Sequence, residues 1–115
     1  MKLCFLGWGD HVHLERWAGY FASVGHEVSI LSCSGAGRYP SGVRQHVLKF
    51  TTHSRIASDA ELRFLLWRLQ PDLLHAHWAH FAARAARVWS GPLAVTAWGS
   101  DIYREEKFSP QAWQS

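Results

Sequence analysis

The 115-residue sequence predicts an α/β fold: a parallel sheet with helices on both faces. Two observations carry this. Short runs of strand length are apolar at nearly every position, as strands buried on both faces must be, and stretches with helical periodicity separate most of them. The length fits a single domain, for which ~100–200 residues is usual.

Each element is legible in turn. Residues 3–6 form an apolar run closed by Gly7, which fits a buried first strand, and GWGDHVH follows as a tight loop. From His13 a helical pattern begins, with Leu14, Trp17, Ala18 and Phe21 on one face and Gly25 placed to end it. Residues 27–32 (EVSILS) read as the second strand, residues 33–42 as a Gly/Ser/Pro-rich loop, and residues 43–50 as a more polar third strand nearer a sheet edge.

Ser58 with Glu61 three residues later has capping-box spacing, so a helix is expected over residues 59–70, with Leu62, Leu65, Leu66 and Leu69 inward and Phe64 and Trp67 off the stripe. After Pro71 the run DLLHAHW (72–78) is a buried fourth strand whose alternation puts His75 and His77 on one face. Residues 79–90 form a helix with Ala82, Ala85, Ala86 and Trp89 on one side and Arg84 and Arg87 on the other. Gly91-Pro92 stops it, residues 93–98 (LAVTAW) make a further buried strand, and Gly99, Ser100 and Asp101 lead into a polar tail. The order β-α-β-β-α-β-α-β gives a Rossmann-like sheet, 3-2-1-4-5.

Composition narrows the function. With 48% hydrophobic and 18% charged residues the chain is globular rather than disordered. The formal charge of +3 mildly favours anions, but the arginines are scattered singly, with no basic run to track a phosphate backbone, so nucleic acid is not an expected partner. Cys4 and Cys33 lack CxxC spacing and read as reduced thiols, which with the short first apolar run places the expected compartment in the cytoplasm.

In the 3-2-1-4-5 order three carboxyl-end loops converge: residues 7–13, 77–80 and 99–101. Gly7-Trp8-Gly9-Asp10-His11-Val12 begins like a dinucleotide fingerprint, yet Val12 stands where the third glycine belongs, and the acidic residue expected ~20 positions on is missing. The two glycines suit either a close backbone approach to a ligand's phosphate or simply a tight turn. The histidine cluster invites zinc, but no carboxylate or thiolate completes a ligand set. His75, deeper in the strand, reads as a packed core residue, whereas His77 and His13 sit at loop mouths where a ligand could touch them. Asp101 is a candidate general base or a helix cap, and no GxSxG is present.

Five blocks occurring in order resemble the N-terminal domain of glycosyltransferase family 4, retaining enzymes of the GT-B architecture. They are KLCFLG, VHLERWAGYF, GHEVSILS, QPDLLHAHW and AVTAWGSDI. The resemblance implies transfer of a sugar from a nucleoside diphosphate sugar to a glycan, lipid or small-molecule acceptor, with no cofactor. It implies that Gly7 and Gly9 face the donor diphosphate, that His77 projects into the cleft, and that Gly99, Ser100 and Asp101 form the loop after the fifth strand. Leu14 stands where the family often has Thr. Against the family's length, residues 1–115 are expected to be an incomplete N-terminal domain, the C-terminal nucleotide-sugar-binding domain being absent and the chain inactive by itself. The basic and aromatic surface would also suit the inner face of an anionic membrane. The alternatives from other classes are a non-catalytic binding or interaction domain and a zinc-dependent hydrolase.

Overall fold

The structure, a computed structural model, describes residues 1–51 and 54–98. Its elements are β1 (Lys2–Gly7), α1 (Val12–Ser23), β2 (Glu27–Ser32), β3 (Arg44–Val47), α2 (Arg55–Leu69), β4 (Leu73–His77), α3 (Ala79–Val88) and β5 (Leu93–Thr96). The strands form one sheet in the order β3-β2-β1-β4-β5, every pair parallel, as the sequence predicts.

Strand alternation divides the interior into two cores, one on each side of the sheet. Leu3, Phe5, Val28 and Ile30 face α1, where Leu14 and Ala18 are fully buried, so the position that differs from the family's common Thr is a packing position here. Cys4, Leu6, Leu31, Leu74 and Ala76 face the other way, against Leu62 and Leu66 of α2 and Phe81 and Ala85 of α3. Helix α1 ends at Ser23 with Val24 as its cap, and Gly25 takes φ +98° just beyond it, the left-handed conformation expected of a glycine that stops a helix.

Four expectations need correction. Helix α2 starts earlier than the Ser58–Glu61 spacing suggests: Ser54 is the cap, its Oγ accepting from the Ala57 N–H, and Ser58 lies inside the helix. Glu61 is drawn elsewhere, its carboxylate accepting from the backbone N–H groups of Lys49 and Phe50. The third strand is shorter than residues 43–50, consistent with an edge position. In α3 the buried face is Phe81 and Ala85 while Ala86 is exposed, because the larger ring fills the space beside Trp8 and Trp78. Strand β5 is only half buried, with Val95 exposed, because it is the outer strand of the sheet among the described residues.

The neighbours Leu66 and Trp67 differ sharply, at 1% and 69% exposure. Leu66→Ala is expected to lower unfolding free energy by about 2–5 kcal/mol through the cavity it leaves. Trp67→Ala should change it by less than about 0.5 kcal/mol, both read by urea titration followed by far-UV circular dichroism.

Candidate functional site

The carboxyl end of β4 carries the site. His75 pairs with Phe5 on one side and Ala94 on the other, and His77 lies opposite Thr96. Both imidazoles face α1, where Trp17 meets each edge-on at 5.1 and 5.3 Å between centroids. His75 is held by a 2.7 Å hydrogen bond between its Nε2 and Thr96 Oγ1, which fits the reading of a packed core residue.

His77 is completely buried. The indole N–H of Trp98 donates to its Nδ1 at 3.3 Å, so the neutral ring carries its proton on Nε2. That Nε2 is buried and, among the described residues, has no hydrogen-bond partner. Burial first, then the neighbouring His75 and His13, push the His77 pKa down to about 3. Burial also lowers that of His75. Both rings are therefore neutral near pH 7, and His77 offers an N–H donor rather than a charge or a proton.

Around this strand end the aromatic rings close up. His13, half-buried at the start of α1, stacks on Trp98 at 4.0 Å with an interplanar angle of 8°. Its backbone N–H donates to His11 Nδ1, the helix cap, at 3.2 Å. Trp78 turns the chain from β4 into α3 with φ +72°, an uncommon conformation for a residue with a side chain, and its ring is buried against Trp8 at 4.5 Å.

The two glycines have local packing reasons. A Cβ on Gly7 would lie 2.9 Å from the Trp78 ring and 3.4 Å from His77 Cβ. A Cβ on Gly9 would lie 2.6 Å from Ser32 Cβ. Gly9 N–H donates to Ser32 Oγ at 3.0 Å, its carbonyl accepts from the Tyr39 hydroxyl, and Ser34 Oγ donates to Asp10 at 2.6 Å. The first loop is thus tied to the segment between β2 and β3, and any contact of Gly9 with a ligand would be one of close approach, its amide being engaged already.

The structure therefore brings Gly7, His13 and His77 together around Trp78 and Trp98, with Gly9 next to Ser32; Gly99, Ser100 and Asp101 lie outside the described residues. Sequence reasoning missed Trp17, Ser32, Tyr39, Thr96 and Trp98. Ser32 had a signal, since it ends the second strand-like run, EVSILS, and so stands at the carboxyl edge. Among the described residues no three His, Cys, Asp or Glu side chains are grouped so that they could hold a metal ion. No described helix is long and apolar enough to cross a membrane.

A parallel sheet in this order, with its central strands ending in a glycine loop and a buried histidine, defines a Rossmann-like α/β domain. The sequence narrows it further: residues 2–114 match the family model described as glycosyl transferase 4-like, and the chain belongs to that family. Comparison with curated proteins finds no match.

His77 ties this site to pH. The unfolded chain takes up its proton near the ordinary 6.5, the native ring not until about 3. Its contribution to stability is whole above pH 6.5 and is lost as pH falls toward 3, at up to about 1.4 kcal/mol per pH unit. Urea titrations at stepped pH should show that slope, and His77→Gln should flatten it.

Proposed function

We propose that this chain is the acceptor-side part of a retaining glycosyltransferase of GT-B architecture, moving a sugar from a nucleoside diphosphate sugar to a glycan, lipid or small-molecule acceptor. It works with a C-terminal nucleotide-sugar-binding domain, and by itself is inactive. The observation that carries this reading is the Nε2–H of His77, a buried donor without an acceptor among the described residues, at the carboxyl end of β4, where open α/β sheets bind ligands. Membership of the glycosyl transferase 4-like family supports the same chemistry.

In this reading His77 donates to the donor sugar beside the reacting carbon and is not the nucleophile. Negative charge develops on the departing diphosphate, and stabilising it with backbone N–H groups and cationic side chains supplies most of the barrier lowering. Gly7 and Gly9 let the first loop approach the diphosphate, His13 lines the cleft, and Gly99, Ser100 and Asp101 close its far side. The exposed Ile56, Phe64 and Trp67, with Arg55, Arg63 and Arg68 on the same helix, suit contact with the inner face of an anionic membrane from the cytoplasm.

Two observations favour a second reading, a non-catalytic binding module: His77 is fully covered and the Gly9 amide already bonded to Ser32. Sugar transfer by this chain combined with a supplied C-terminal half separates the two. The transferase reading expects activity, and His77→Ala should lower kcat/KM on the order of a hundredfold with the circular dichroism spectrum retained. Full activity in that variant would remove His77 from the reaction, and binding of ligand with no transfer by the wild-type pair would favour the binding module.

A further inference from the structure

We propose that the cavity between the start of α2 and the exposed face of α3 is a phosphate-binding site, separate from the His77 cleft. The cavity measures about 390 Å³ and is lined by Ser54, Arg55, Ser58, Asp59, Arg84 and Arg87.

Its charge is unbalanced. Arg87 forks onto both oxygens of Asp59 at 3.1 Å, and that pair neutralises itself. Arg84 and Arg55 remain, and among the described residues neither has a carboxylate within ion-pair distance. Arg84 instead places Nη1 3.8 Å from Cys33 Sγ and its guanidinium 6.0 Å from the centre of the Phe81 ring. Burial pushes the Cys33 thiol up to about 11, so the sulfur supplies no counter-charge. Arg55 holds the first position of α2, whose first turn has no acidic side chain, so a cation sits on the helix's positive end. Ser54 Oγ satisfies the Ala57 N–H, leaving the Arg55 and Ile56 amides of that first turn with no intrahelical acceptor.

Ser58 is an independent sign of a ligand. It is 5% exposed and occupies the inward stripe that continues through Leu62 and Leu66, where packing alone would favour an apolar side chain. Its side chain lines the cavity, and among the described residues its hydroxyl makes no hydrogen bond. Two guanidinium groups, a serine hydroxyl that opens onto the cavity and a helix start are together the recognition set for a phosphate or phosphomonoester. The phosphate could be carried by a soluble molecule or by a lipid headgroup.

The test uses the whole chain and three probes: inorganic phosphate, glycerol 3-phosphate, and phosphatidylcholine vesicles with or without phosphatidic acid. Amide shifts of Ile56 and Ser58 in heteronuclear NMR follow the soluble probes, and co-sedimentation follows the vesicles. Saturable binding is expected, weakened about tenfold in Arg84→Gln and again in Arg55→Gln, and to a smaller degree in Ser58→Ala. Binding confined to the soluble probes assigns the site to a soluble phosphate; binding confined to phosphatidic acid assigns it to a headgroup. No saturable binding of any probe overturns the proposal. So does binding that survives the Arg55→Gln/Arg84→Gln double variant, whose native circular dichroism spectrum confirms folding.

Discussion

Strand β4 is buried on both faces, and that constraint decides most of what happens at the carboxyl edge. Alternation sends Leu74 and Ala76 into the core beneath α2 and α3 and His75 and His77 into the core beneath α1. Two imidazoles 4.4 Å apart in a largely apolar layer cannot both be charged, so the strand holds them neutral and finds them partners. Thr96 and Trp98 supply those partners from β5 and just beyond it. Strand β5, an edge strand among the described residues, is thereby recruited to the polar bookkeeping of the interior although its own side chains are half exposed.

The carboxyl edge is held by bonds between loops as much as by the sheet. Ser32 Oγ accepts from Gly9 N–H and donates to Gly35 O at 2.7 Å, while Tyr39 reaches back to the Gly9 carbonyl. The two bonds to Gly9 reach 23 and 30 positions along the chain, so the first loop's shape depends on the end of β2 and on Tyr39 in the segment that follows it. A substitution at Tyr39 or Ser32 would therefore act on the glycine loop without lying in it.

Strand order, the two cores and the bounds of β2 could be read from apolar runs and periodicity, because those patterns follow from burial alone. The start of α2 could not. Ser54 and Ser58 both offer a capping hydroxyl, and only the tertiary capture of Glu61 by the Lys49 and Phe50 amides shows which of them serves. In α3 the choice between Phe81 and Ala86 as the inward residue likewise depends on where Trp8 and Trp78 stand. At the site, the histidines and glycines stood out by residue type and position, but their relative depth did not: His77, expected at an open loop mouth, is 0% exposed and His75, expected deeper, 8%, because Trp98 and Trp17 cover the strand end. Their indole and hydroxyl neighbours were not legible, since Trp98 and Tyr39 reach them across long sequence separations.

Trp98 gives the cluster a cooperative character. One face of its indole rests on His13 and its N–H is spent on His77, so the beginning of α1 and the end of the β5 segment are joined through a single side chain. Neither contact can be relaxed without disturbing the other. Uncovering the imidazole from that side would require the indole to leave both partners at once.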